Sequence, residues 1–144
     1  MEIYRIETIT PQVVEAITRL LPKLSATAQI PDSLHIGRII SSANTHLLVA
    51  EMEGVIVGML TLVLVDIPTG RKAWIEDVVT DEAYRGCGVG RALVSQAIQR
   101  AKEAGAVRVY LTSNPSRKAA HALYSKCGFE QYDTTLFRLL LQEK

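Results

Sequence analysis

The 144-residue chain has little of what usually announces specialised chemistry. Its two cysteines, Cys87 and Cys127, lie forty residues apart and form no CxxC pair. Disulfide frameworks and cysteine-based metal sites need more thiols at closer spacing, so reduced cysteines and no metal are expected. Charge of neither sign dominates: sixteen Lys and Arg stand against fifteen Asp and Glu, a net charge of +1. That balance, with no clustered basic stripe, argues against nucleic acid as a partner. The longest apolar run, "GVIVGMLTLVLV" from Gly54 to Val65, falls well short of the ~20 residues that span a bilayer. The opening "MEIYRIETITPQ" is polar and acidic from its second residue and does not read as a signal peptide. The expectation is a cytoplasmic protein that engages neither membrane nor nucleic acid.

What is present is a globular balance, 48% hydrophobic and 22% charged, in a length suited to one domain over residues 1–144. No repeat, linker or low-complexity segment divides it. "EIYRIETI" alternates as a first strand. Thr10 and Pro11 make a helix start, N-cap followed by N1, with Val13, Ile17, Leu20 and Leu24 at helical spacing behind them. Pro31, Asp32 and Ser33 open a second, shorter helix to about Ala43. "HLLVAEME" and "GVIVGMLTLVLV" flank Gly54 as an antiparallel hairpin. After a corner at Pro68 and Gly70, "WIEDVVT" reads as the next strand.

A glycine-rich loop follows, then a helix to about Ala104 whose Val89, Leu93, Ala97 and Ala101 recur every fourth residue. "AVRVYLTS" is a further strand, a helix runs from about Ser116 to Cys127, and "FEQYDTTLFRLLLQ" supplies one or two closing strands. This order predicts a mixed α/β fold: a central sheet of six to seven mostly antiparallel strands flanked by about four helices.

The chemistry concentrates in "YRGCGVGRALVSQAIQRAKEAG". Gly86, Gly88 and Gly90 free the backbone to turn sharply at the mouth of a helix, whose first N–H groups and dipole suit a phosphate. Two familiar glycine loops fail here. A nucleotide P-loop needs Lys and a hydroxyl after its last glycine, but Arg91 and Ala92 follow Gly90. The dinucleotide GxGxxG pattern needs a third glycine or alanine where Arg91 or Leu93 stands.

The remaining pattern is R-x-x-G-x-G, read as Arg85, Gly88 and Gly90. "VVTDEAYRGCGVGRAL" and "AAHALYSKCGF" resemble the GCN5-related N-acetyltransferases, over Trp74 to Phe129 and about 56 of the 144 residues. The resemblance implies acetyl-CoA as co-substrate and direct attack by a primary amine on its thioester. Residues Arg85, Gly86, Cys87, Gly88, Val89, Gly90 and Arg91 would then hold the pyrophosphate. The main chain of Val78, Val79 and Thr80 would pair with the pantetheine arm. Tyr124 matches the tyrosine that protonates the departing thiolate. Arg117 stands where the family often has asparagine, and helical spacing places it within about 60° of His121 and Tyr124, near a cofactor phosphate or an anionic acceptor. His121 is expected to bond locally.

Strand alternation points Glu76 and Asp77 to opposite faces, so that only one of them faces a cleft. "WIEDVV" is also similar to the corresponding strand of glucosamine-phosphate N-acetyltransferases, where the acidic pair lies near the acceptor. For a base, that resemblance implies Glu76 first and Asp77 second. The acceptor is expected to be a small-molecule amine. Acetylation of proteins or peptides, and acetyl-CoA sensing without turnover, are the rival readings. Dimers are common in the family, so a homodimer is also an expectation.

Overall fold

A computed structural model describes residues 1–142. Five strands form one sheet in the order β1 (Glu2–Arg5), β2 (Thr45–Met52), β3 (Val55–Ile67), β4 (Gly70–Thr80) and β5 (Val109–Leu111). Neighbours are antiparallel except β4 and β5, which run parallel. Two helices, α1 (Pro11–Leu24) and α2 (Ser33–Ser41), lie between β1 and β2 in sequence. The crossover from β4 to β5 carries a short 3-10 turn (Glu82–Tyr84) and α3 (Val89–Glu103), and α4 (Lys118–Lys126) follows β5.

Local signals explain most boundaries. Thr10 caps α1 by accepting from the Val13 N–H at 3.2 Å, with Pro11 at the first helical position. Asp32 caps α2 in the same way through His35 at 2.8 Å. The β2–β3 hairpin turns on Glu53 and Gly54, both left-handed, with φ of 53° and 78°. Gly105, φ 82°, ends α3.

The helices cover both faces of the sheet. On one face the α3 stripe, with Leu93, Ala97 and Ala101 fully buried, packs on Leu48, Leu60, Leu62, Ala73 and Ile75. On the other, Val13, Ile17 and Leu20 of α1 and Ile36 of α2 meet Leu47, Val49, Met59 and Val79. Gly58 lets α3 approach β3: a Cβ there would lie 2.8 Å from Val89 Cγ1 and 3.0 Å from Leu93 Cδ1. Among the described residues no helix is long and apolar enough to cross a membrane.

The sheet has five strands rather than six to seven. The expected closing strands fall in residues 129–142, which form no strand. Phe137 and Leu139 there are 88% and 84% exposed. "LFRLLL", apolar except for Arg138, lacks the alternation that fixes a half-buried strand, and three-residue β5 offers only a short edge to pair with.

Candidate active site

The parting of β4 from β5 makes the site. Their ladder holds Ala73, Trp74 and Ile75 against Val109, Tyr110 and Leu111, and ends there. From Glu76 to Thr80, β4 pairs only with β3 and leaves its other edge free. A cavity of about 120 Å³ occupies the split. Ile75, Glu76, Asp77 and Val78 line it from β4, and Leu111, Thr112 and Ser113 from the end of β5. Leu24 closes it from α1, and Arg117 and Tyr124 from the α4 end. An outer cavity of about 580 Å³ shares Leu24, Thr112, Ser113 and Arg117 with it and adds Lys23, Asn114, Ser116 and Leu136.

Asp77 corrects the expectation that only one of the acidic pair can face the cleft. Up to residue 76 the strand alternates, with Ala73 and Ile75 toward α3 and Glu76 away from it. Asp77 then takes φ of 54°, and the register with β3 slips between Met59 and Thr61. This bulge inserts one residue, and both carboxylates line the inner cavity. It also places Val79 in the α1–α2 core while Val78 packs toward α3.

Glu76 and Tyr124, which share the inner cavity, are both held toward their protonated forms. Partial desolvation raises the Glu76 carboxyl above its ordinary 4.5, and Asp77 beside it adds to the effect. Burial likewise raises the Tyr124 phenol above 10, against the opposing charge of Arg117 and with a smaller push from Cys127. The Tyr124 ring is held edge-on by Phe129 at 6.1 Å. The latter belongs to the Gly-Phe pair that stops α4, and its N–H donates to the Tyr124 carbonyl at 3.0 Å.

The glycine loop opens α3 as the sequence suggests. Gly86 and Gly88 are left-handed at φ 82° and 78°, and Gly88 is the N-cap with no side chain to satisfy the helix. The first bond back into the helix is Ala92 N–H to the Gly88 carbonyl, so the N–H groups of Val89, Gly90 and Arg91 face outward without a helical partner. Arg85, Cys87 and Arg91 are exposed around this mouth. The Val89 side chain is core, 3% exposed, so only its backbone faces the loop. Gly90 serves a contact between elements: a Cβ there would lie 3.2 Å from Leu123 Cδ2 of α4 and 3.8 Å from Thr80 Cγ2. The α1 face braces the same region, since Arg19 donates to Asp81 Oδ2 at 3.0 Å and to the Ile56 carbonyl at 2.8 Å.

Arg117 is the N-cap of α4 rather than part of the helix, and it lines both cavities. His121 bonds locally through Nε2 to the Asn114 carbonyl at 3.0 Å. Ser113 was not singled out by sequence. It lines both cavities, and its Oγ is buried without a hydrogen-bond partner. Nothing in "YLTSNPS" distinguishes it from any loop serine.

A split sheet edge, a helix mouth with outward N–H groups and a cavity lined by two carboxylates and a phenol thus lie together along β4. The chain belongs to the acetyltransferase (GNAT) family, whose model matches residues 11–129. It is 43% identical over 60 residues to a probable glucosamine 6-phosphate N-acetyltransferase 2 of Oryza sativa subsp. japonica. That match covers 42% of this chain and 34% of the relative, so the chain spans about a third of the relative's length. A putative acetyltransferase from Agrobacterium tumefaciens superimposes with a TM-score of 0.86, covering 97% of this chain and 100% of the other at 27% identity. An aminoglycoside acetyltransferase from an uncultured soil metagenomic sample shares the fold with a TM-score of 0.84, over 96% and 95% of the two chains at 24% identity.

Proposed function

We propose that this chain is an acetyl-CoA-dependent N-acetyltransferase acting on a primary amine of a small molecule. The observation that carries this reading is the placing of Glu76, Asp77 and Tyr124 around one 120 Å³ cavity at the free edge of β4. The rice relative's description as a glucosamine 6-phosphate N-acetyltransferase supports a small amine as acceptor.

The residues fit acetyl-CoA. The outward N–H groups at the start of α3, with Arg85 and Arg91 beside them, would hold the pyrophosphate, and the free edge of β4 from Val78 to Thr80 would pair with the pantetheine amides. Bound there, the co-substrate supplies an activated acetyl thioester. Glu76 takes the proton that the ammonium must lose, a role its raised carboxyl suits because a base nearer neutrality transfers protons more effectively. The amine nitrogen bonds to the acetyl carbon and the carbon–sulfur bond breaks. An N–H on the free edge of β4 meets the charge that develops on the carbonyl oxygen. Tyr124, held toward its protonated form by burial, delivers its phenolic proton to the departing sulfur. The second proton that the nitrogen loses as the amide forms returns to the phenolate through solvent.

CoA-thiol release from acetyl-CoA across a panel of small amines tests the reading, with short peptides alongside. Turnover of a small amine by wild type and its loss in Glu76→Gln and Tyr124→Phe is the expected result. Acetyl-CoA binding with no turnover of any amine would overturn it in favour of a sensor.

A further inference from the structure

The cleft is polar in two opposite senses along its length. Both carboxylates, Glu76 and Asp77, line the inner cavity, and no acidic side chain lines the outer one. The outer cavity carries two cations, but Lys23 is already committed, with Nζ 2.7 Å from Glu82 Oε1. Arg117 has no ion-pair or hydrogen-bond partner for its guanidinium among the described residues, and it stands where the two cavities meet.

A further observation falls at the same place. Ser113 Oγ is buried there with no hydrogen-bond partner among the described residues, so its hydroxyl is free to donate. An unpaired cation and a free hydroxyl are both complements of an anion.

We propose that the outer cavity is the acceptor subsite and that the acceptor is an amine carrying an anionic group: a phosphate, phosphonate or carboxylate. Arg117 and the Ser113 hydroxyl donate to that group while the amine reaches Glu76 in the inner cavity. The inference rests on the acetyl-transfer reading, and it moves Arg117 from the cofactor to the acceptor. It disfavours polycations, whose second ammonium would fall beside Arg117. A volume of about 580 Å³ suits a molecule the size of a sugar phosphate.

Binding to protein saturated with CoA, which lacks the acetyl group and permits no turnover, tests this by calorimetry. Matched probes are glucosamine 6-phosphate with glucosamine, 2-aminoethylphosphonate with propylamine, and 3-aminopropanoate with propylamine; spermidine serves as the polycation. At least one member carrying the anion should bind about tenfold or more tightly than its counterpart without it, a gap that salt narrows. Arg117→Met should close the gap, Arg117→Lys should restore part of it, and Ser113→Ala should reduce it, all with CoA affinity unchanged. No anionic preference in any pair overturns the proposal. So does a preference that survives Arg117→Met, or a loss of CoA affinity in that variant with the preference intact. The same compounds assayed with acetyl-CoA separate the two readings. Anionic preference without acetylation sinks the enzyme reading alone, and acetylation without anionic preference sinks the acceptor class alone.

Discussion

Glu76 and Asp77, adjacent in sequence on a strand, line the same cavity because Asp77 takes φ of 54° in a bulge between Glu76 and Val79. Their proximity and the partial desolvation of Glu76 favour its protonated form. As a base Glu76 works only when ionised, so kcat/KM should fall as pH drops through a value above the ordinary 4.5. Glu76→Gln should abolish that limb and lower the rate by about a hundredfold or more. A rate profile with the same acid limb in the variant removes Glu76 from the base role. Stability runs the other way. A carboxyl raised in the folded state contributes stability below its unfolded value, and that contribution is lost as pH rises through the folded value. At pH 7 Glu76→Gln should therefore leave Tm unchanged or slightly higher.

Tyr124 is raised for the opposite use. Burial holds its phenol toward the protonated form, as the proposed delivery of a proton to the thiolate requires. Tyr124→Phe should keep the edge-on contact with Phe129 and lose only the proton, lowering kcat by roughly ten- to a thousandfold while acetyl-CoA binding changes little. An unchanged kcat with chemistry rate-limiting would end the assignment.

Much of this site was legible because the residues that make it are chemically conspicuous. Thr10 with Pro11 and Asp32 with Ser33 announce their helices, and the Gly86–Gly90 loop together with the tyrosine before Gly-Phe announces the two elements that the proposed cofactor end uses. The α3 stripe of Val89, Leu93, Ala97 and Ala101 is core as its spacing requires. The bulge was not legible. "EDVV" contains no Gly or Pro, and an aspartate accepts a left-handed conformation without any local sign of it. Ser113 is defined only by where the end of β5 falls, a tertiary fact. The closing strands fail for a related reason: apolar content in "LFRLLL" signals burial, and only a partner strand turns it into a sheet.

Gly86 and Gly88 are needed for conformation and not for space, since a Cβ at either meets nothing within 4 Å. Gly88→Ala should then cost ~1–2 kcal/mol in left-handed strain. Gly54→Ala is a matched control, with the same φ of 78° and the same open surroundings in the β2–β3 hairpin. Both variants should lower Tm alike, and only Gly88→Ala should also weaken CoA binding in a titration. Equal CoA affinities in the two would mean that the loop's shape is irrelevant to the ligand.

Gly58 poses the opposite case, where space is the constraint. Its backbone is not left-handed, yet a Cβ would stand 2.8 Å from Val89 Cγ1 and 3.0 Å from Leu93 Cδ1, with the Val79 carbonyl at 3.3 Å. Val89 and Leu93 are buried in the first turns of α3 and have little room to yield. Gly58→Ala should push the start of α3 off the sheet, costing ~1–3 kcal/mol as overpacked cores do. Because Val89 follows Gly88 directly, the same displacement should shift the outward N–H groups and raise the Kd for CoA. Pairing Gly58→Ala with Val89→Ala removes the nearer of the two clashing methyl groups, Val89 Cγ1. The double variant should then lose less stability than the two single costs added together. Strict additivity in thermal unfolding would show that α3 is not seated on Gly58 as described.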